Sequence, residues 1–305
     1  IIRLRSLSDQ PVLFEELYIR ADRFAGFESL PDSAFGPLLY PLYFERFGVL
    51  VKRATDDLSF GHADAQVAAL ADRAASDAAA LSGQEAELRA RHAGELGDEI
   101  TRLCGTHADG TVPESCAFQP EVTALPQVSI DASLALTLGA DLPAESHALA
   151  VRQAVDMAAV SPAELPARLD PDPSPDSGAA DAARQLLARE YATAWGLGVA
   201  RARLDPARQE AVDELVDAHE SRIRILRKVL EPFGEVPVAE PGYELEGLDE
   251  PVDAASAEDF VTRVEEGLAG AWLAAAVEAA PGAWQEFAVR GTAEVETALG
   301  SYSAG

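Results

Sequence analysis

The sequence predicts an all-α protein whose C-terminal part is an antiparallel four-helix bundle. Two observations predict helices: alanine is abundant while aromatic residues make up only 7% of the chain, and apolar residues recur at helical spacing over long stretches. A third observation predicts the bundle, because four helical segments follow a proline-rich stretch and are joined by a short, a long and a short connection. With 48% apolar residues, a chain of 305 residues can build a packed core.

Residues 1–60 are an aromatic-rich N-terminal segment that holds ten aromatic residues and is nearly balanced in charge. Asp9 followed by Pro11 is a helix-start signal, and the apolar spacing predicts a helix over about 10–25 and a second over about 39–57. The segment is either a small aromatic core or a docking or membrane-surface element. Aromatic stripes at helical spacing favour the core.

Residues 61–160 are predicted to be a helical region. A helical hairpin has its first arm over 63–81 and its second over 84–104, with Ser-Gly between them. A short strand or helix is expected around 127–138, and a further helix over 144–160.

Residues 161–181 contain five prolines and are predicted to be a linker to the bundle at 182–300. Apolar periodicity and the proline and glycine positions place the helices of the bundle over about 180–203, 205–231, 255–280 and 282–300.

The net charge of −28 constrains the partners, since 52 acidic residues face 24 basic ones. Such a surface repels phosphate backbones, so we expect no nucleic-acid partner. A GC-rich genome or a saline habitat accounts for this balance. No apolar run is long enough for a transmembrane helix. The chain does not begin with methionine, so we expect a processed or truncated N-terminus from which an export signal or lipid anchor could have been removed.

Cys104 and Cys116 flank a segment rich in turn residues. A disulfide between them would stabilise the fold by roughly 3 kcal/mol and would imply an oxidising compartment. Two alternatives are free thiols and a metal site that includes His107, for which no fourth ligand is evident. We favour the disulfide.

His219 lies on the apolar stripe of the helix over 205–231. Di-iron bundles require Glu-x-x-His on two helices, but Val216 stands three residues before His219, and the last helix has no histidine. We therefore expect a core histidine that is hydrogen-bonded to Glu190 or Glu265. If a metal site survives, iron or manganese would bind Glu190, His219, Glu265 and a glutamate of the last helix. The candidates on that helix are Glu286, Glu294 and Glu296.

Three glycines occupy helix interiors, where glycine is unfavourable: Gly196, Gly198 and Gly291. Close backbone packing is the preferred interpretation, and room for a small ligand near Trp195 and Trp272 is the alternative.

Four stretches of the C-terminal part resemble an actinobacterial ferritin-like domain family of unknown function. They are AREYATAWGLGVARARL (188–204), AHESRIRILRKVL (218–230), VPVAEPGYEL (236–245) and AWLAAAVEAAP (271–281). The resemblance covers about 182–300 and implies a fold but no activity. The stretch CGTHADGTVPESC (104–116) is similar to a segment found upstream of that domain in exported actinobacterial lipoproteins.

The sequence contains no phosphate-binding loop, dinucleotide fingerprint or nucleophile elbow, so we predict no catalytic residue and no cofactor. The expected function is a non-catalytic binding or scaffold protein of the cell envelope or the extracellular space, with a protein partner that docks through residues 1–60. The alternatives are a small-molecule or ion-binding protein that uses the acidic surface, and a divergent metal-carboxylate oxidase or metal-storage protein.

Overall fold

The computed structural model describes residues 2–7, 10–16, 19–20, 22–27, 30–31, 34–35, 39–52, 65–105, 111, 117–125, 128–169, 178–245 and 247–304. The chain divides into two compact units, Ile1–Ser59 and Phe60–Gly305.

The first unit contains a β-hairpin, and here the predicted helix over 10–25 is wrong. Strand β1 (Ile2–Leu7) pairs antiparallel with β2 (Gln10–Glu16). Apolar and aromatic residues suit a strand as well as a helix, and cross-strand pairing supplies backbone hydrogen bonds that the spacing alone does not reveal. The pairing register shifts between Arg5 and Ser6, next to Pro11, which is where a residue without an N–H is tolerated.

The predicted aromatic core of the first unit is confirmed. Phe24 and Tyr43 are buried with their ring centroids 4.9 Å apart, and Phe27 and Phe47 pack against them. Helix α1 (Leu39–Phe47) is shorter than the predicted 39–57, because Gly48 adopts a φ of +64° that ends the helix.

The second unit begins with four helices. They are α2 (Ala65–Ala80), α3 (Gly83–Cys104), α4 (Ile130–Leu138) and α5 (Ala144–Val160). The predicted hairpin of α2 and α3 is confirmed, and Gly83, with a φ of +58°, provides the break between the arms. The segment expected around 127–138 as a strand or a helix is the helix α4, whose first turn is capped by the Ser129 side chain.

The C-terminal helices agree with the predicted positions to within a few residues. They are α6 (Ala179–Arg201), α7 (Pro206–Leu230), α8 (Ala254–Glu278) and α9 (Ala283–Ala304). Helix α6 packs against α7 and α8, and α9 packs against the same two helices, so the four close around a common interior. Side chains of Asp205 and Asp253 cap the first turns of α7 and α8.

One hydrophobic core crosses the predicted linker. Helix α5 packs against α8 and α9. Leu165 and Leu169, in the described part of the linker, are buried in the same core as Leu187 and Trp272. The helices before and after residues 161–181 therefore belong to one compact unit.

From Ala65 to Ala304, every regular element among the described residues is helical, as the sequence predicts. None of the described helices is long and apolar enough to cross a bilayer.

Candidate functional site

His219 lies at the centre of the C-terminal helices, between two carboxylates. Its Nδ1 is 2.5 Å from Glu190 Oε2 on α6, and its Nε2 is 2.7 Å from Glu265 Oε1 on α8. All three side chains are buried, at 0% or 1% exposure. Arg222 Nη2 also lies 3.2 Å from Nδ1, but the Glu190 oxygen is closer. Because ionised carboxylates can only accept, the geometry favours a ring that donates from both nitrogens.

Glu190 also accepts hydrogen bonds from two further buried donors. Arg222 donates from Nε to Oε1 at 2.7 Å, and Trp272 donates from Nε1 to the same oxygen at 2.8 Å. Arg222 follows His219 by three residues and therefore lies on the same face of α7. We call Glu190, His219, Arg222 and Glu265 the C-terminal cluster.

The charges of this cluster are mutually stabilised. Burial opposes the ionisation of Glu190, but the charge of Arg222 and the hydrogen bond from His219 outweigh it and lower the Glu190 pKa. Burial likewise opposes protonation of His219, but its hydrogen bonds to Glu190 and Glu265 outweigh that and raise the His219 pKa. The cluster thus pairs two acidic side chains with a guanidinium and with an imidazole whose protonated form its hydrogen bonds favour.

Two acidic side chains, one in the cluster and one beside it, have carboxyl oxygens that make few hydrogen bonds. Glu265 Oε2 is buried and has no hydrogen-bond partner among the described residues. Glu294 on α9 is half-buried, and burial raises its pKa although the charge of Arg222 opposes that. Burial therefore shifts the Glu294 carboxyl towards its neutral form.

Tight packing closes the interior around Trp272. A Cβ at Gly291 of α9 would overlap the Trp272 ring, and a Cβ at Gly196 of α6 would lie 2.7 Å from Leu245 Cδ1. The predicted close packing is confirmed at these two glycines and is wrong at Gly198, which faces open space.

Sequence reasoning named three members of this cluster and missed one. The structure brings Glu190, His219 and Glu265 together, and both expected carboxylate partners bind the histidine. Arg222 was missed, although its spacing of three residues from His219 was a signal that it shares the buried face. The donor role of Trp272 was also missed.

The cluster residues fit a bound iron or manganese ion poorly. Both nitrogens of His219 lie within hydrogen-bond distance of carboxylate oxygens, and a metal would need one of them as a lone-pair donor. The oxygens of Glu190 already accept three hydrogen bonds, and the guanidinium of Arg222 brings a fixed positive charge to the place where a cation would bind. No group of three or more potential metal ligands stands out among the described residues.

A second buried ion cluster lies in the helical hairpin and its neighbours. Asp77 of α2 accepts from Arg89 Nε at 3.1 Å and from the Ser133 hydroxyl at 2.6 Å. Arg89 Nη1 lies 2.9 Å from His92 Nδ1, and His92 Nε2 lies 3.3 Å from Asp156 Oδ2 on α5. We call Asp77, Arg89, His92 and Asp156 the hairpin cluster.

The histidine of the hairpin cluster is neutral. The guanidinium of Arg89 can only donate, so Nδ1 of His92 must accept and Nε2 carries the proton. Burial, assisted by the charge of Arg89, outweighs the hydrogen bond to Asp156 and lowers the His92 pKa. Burial acts in the opposite direction on Asp156, but hydrogen bonds from His92 and Arg91 outweigh it and lower the Asp156 pKa to about 2.

Cys104 ends α3, and no free cysteine occurs among the described residues. Cys116 and His107 lie outside the described residues. The Cys104–Cys116 disulfide therefore stays a prediction.

Comparisons with known proteins give two partial matches. A family model described as a domain of unknown function, DUF4439, matches residues 182–303, and one described as the UTRA domain matches residues 1–90. No curated protein and no solved structure matches the chain. The first match covers nearly all of α6–α9 and confirms that the C-terminal part is similar to a domain of unknown function. Sequence analysis did not find the second similarity.

Proposed function

We propose that this chain is a non-catalytic binding or scaffold protein of the cell envelope, with a ferritin-like bundle in which an internal ion cluster replaces the metal centre. The main support for this proposal is that His219 lies between Glu190 and Glu265 and that Arg222 binds Glu190. In di-iron bundles, inward carboxylates face metal cations. Here they face two side-chain cations of the protein itself.

The connections between the C-terminal helices support the ferritin-like part of the proposal. Short turns join α6 to α7 and α8 to α9, while a long connection over residues 231–253 joins α7 to α8. One long crossover between two helical hairpins is the pattern of ferritin-like folds. Helices joined by short turns and packed on each other run antiparallel.

Complete burial of the cluster supports a non-catalytic role. Glu190 and His219 are inaccessible to solvent, and Trp272 lies over them from α8. A substrate could reach these groups only if the helices separated. Buried polar groups that are largely paired with one another, as here, can specify which helices pack together without performing chemistry.

Placement in the envelope and a protein partner remain parts of the proposal. The predicted disulfide and the similarity of residues 104–116 to exported lipoproteins support export. The side chains of Tyr40 and Phe44, one turn apart on α1, are more than half exposed and support docking through the N-terminal unit. Fractionation of the native host with an antibody against this chain checks the first part, and a wholly cytosolic signal would contradict it.

Elemental analysis of the full chain after native expression tests the main proposal. We expect far less than one iron or manganese per chain, with or without the metals in the growth medium. Stoichiometric metal that is lost in His219→Gln, but retained in the control variant His147→Gln on α5, would overturn it. Circular dichroism of both variants shows that the helices are retained.

Ion binding is the second candidate, and the free oxygen of Glu265 favours it. Glu265 Oε2 and the half-buried Glu294 leave carboxyl oxygens that no described donor satisfies. A small cation would bind there only if Arg222 withdrew. Manganese titration of Arg222→Met against the unchanged chain tests this: tight binding in the variant alone would show that the guanidinium blocks a latent site.

A further inference from the structure

The long connection between α7 and α8 crosses α6 and leaves two aromatic rings at the surface. Of the three tryptophans in the chain, Trp272 and Trp284 are buried, whereas Trp195 on α6 is 39% exposed. The Trp195 ring lies 6.1 Å from the half-buried ring of Tyr243, with 59° between their planes. At this angle the two rings are tilted towards each other rather than stacked flat.

These rings are held in place by the backbone of the connection. The Glu240 N–H donates to the Tyr243 hydroxyl oxygen at 2.7 Å, which fixes the turn that carries the ring. One turn before Trp195, the Tyr191 hydroxyl donates to the Pro237 carbonyl at 3.5 Å. Rings positioned in this way lose little conformational entropy when a ligand binds.

The electrostatic character of this surface selects a cation. Residues 190–200 and 236–245 contain neither lysine nor arginine, and their exposed charged residues are Glu240 and Glu244. The faces of aromatic rings are also electron-rich, and tryptophan attracts cations most strongly. The net charge of −28 adds a long-range attraction for positive ligands and repels anions.

We propose that Trp195 and Tyr243, with the exposed Glu240 and Glu244 near Tyr243 in the chain, bind an organic cation of the quaternary ammonium class. An alkylated ammonium presents apolar methyl groups to the rings and a diffuse charge to the carboxylates. The exposed Val238, at 71%, provides apolar surface on the same connection. This inference deepens the proposed binding function and rests on it, but it uses no residue of the C-terminal cluster.

Titration of the full chain with choline, followed by tryptophan emission, tests the site. The buried Trp272 and Trp284 provide a constant background, so a saturable change reports on Trp195. The neutral isostere of choline, in which a carbon atom replaces the nitrogen, is the matched ligand control, and sodium chloride at equal ionic strength controls for salt. We expect choline to bind at least about tenfold more tightly than the isostere.

Calorimetry of variants tests whether choline binding depends on the two rings or on the general charge of the surface. Tyr243→Ala is expected to weaken choline binding about tenfold, whereas Leu136→Ala, at an exposed leucine of α4, leaves it unchanged. Glu240→Gln with Glu244→Gln is expected to weaken binding a few-fold and to reduce its dependence on salt. Circular dichroism checks that each variant retains its helices.

Three outcomes would overturn the site: no saturable change with choline, equal affinity for choline and its neutral isostere, or unchanged binding in Tyr243→Ala. These outcomes leave the metal analysis unaffected. Stoichiometric iron or manganese would overturn the proposed function while leaving choline binding as it is, so the two failures are distinguishable.

Discussion

The hairpin cluster and the C-terminal cluster share their side-chain types but hold their histidines in opposite protonation states. In both, an arginine and a histidine are three residues apart on one helix: Arg89 and His92 on α3, and His219 and Arg222 on α7. In the hairpin cluster the arginine donates to the ring, so the ring stays neutral. In the C-terminal cluster, Arg222 Nη2 also lies 3.2 Å from Nδ1, but a Glu190 oxygen is closer, at 2.5 Å, and Glu265 faces Nε2, so the ring is charged. Burial alone does not decide the charge of a histidine; the neighbours of its two nitrogens do.

The largest expected effect comes from removing the charge of Glu190. Glu190→Gln leaves Arg222 and His219 buried without the carboxylate that binds both, so we expect the free energy of unfolding to fall by about 3–5 kcal/mol. Urea denaturation of the full chain measures it, with the exposed Glu210→Gln on α7 as control. If the unfolding free energy of Glu190→Gln were within about 1 kcal/mol of that of the control, the buried charges would not depend on Glu190 for their stability.

A smaller loss is expected when Trp272 is displaced. In Gly291→Ala the new Cβ collides with the Trp272 ring, which also donates to Glu190, so we expect a loss of about 1–3 kcal/mol. The control Gly300→Ala, on the same helix, faces open space and should be neutral or slightly stabilising. Combined with Glu190→Gln, the effect of Gly291→Ala should be less than additive. If the two losses in unfolding free energy were fully additive, the packing of Trp272 and the hydrogen bonds of the cluster would stabilise the protein independently.

The pH dependence of stability should have opposite signs at the two histidines. The His219 pKa is raised above 6.5, so its stabilising contribution is complete below that pH and is lost as the pH rises through the folded-state pKa. The His92 pKa is lowered below 6.5, so its contribution is complete above that pH and is lost as the pH falls.

Unfolding of the unchanged chain, His219→Gln and His92→Gln, compared from about pH 5 to about pH 9, checks these signs. The difference between the unchanged chain and His219→Gln should shrink towards high pH, and that for His92→Gln should shrink towards low pH. Each unit of pKa shift corresponds to about 1.4 kcal/mol. Parallel curves for the two variants would contradict the assignment of opposite protonation states.

The smallest effect is expected where the hairpin side of the unit meets α9. Arg152 of α5 forms ion pairs with Glu296 and with Asp156 of the hairpin cluster. Its side chain and that of Glu296 are about one-third exposed, so solvent screens the pair. Glu296→Gln should therefore cost at most about 1 kcal/mol in urea denaturation, and less in high salt. A larger loss would show that solvent does not screen the pair and that it holds α5 against α9.

The helices of the second unit could be predicted because their signals are local. Apolar spacing, the capping aspartates Asp205 and Asp253, and the breaks at Gly83 and Pro281-Gly282 mark their ends directly in the sequence. The inward position of His219 followed from the same spacing. The burial of Arg222 was harder to predict, because arginine is seldom fully buried and is expected on the solvent face unless its partner is known.

The β-hairpin of the first unit could not be predicted in the same way. Strand pairing is a contact between two segments, and the apolar residues of Gln10–Glu16 are compatible with either a strand or a helix. The sequence offers a helix-start signal at Asp9 and Pro11, and the partner strand Ile2–Leu7 overrides it. The hairpin cluster was missed for a related reason, since it joins α2, α3 and α5 across long sequence separations.

The core that α5 shares with α8 and α9 extends beyond the stretch that matches the domain of unknown function. The stretch similar to a domain of unknown function begins at residue 182, yet the apolar surface of its helices is covered by residues that precede it, among them Val155 and Leu165. The stretch that the family model matches is therefore only part of the compact unit that this chain forms. A fragment that begins at residue 182 would expose this apolar surface to water. A protein that shares only residues 182–303 with this chain therefore needs another element to cover that surface.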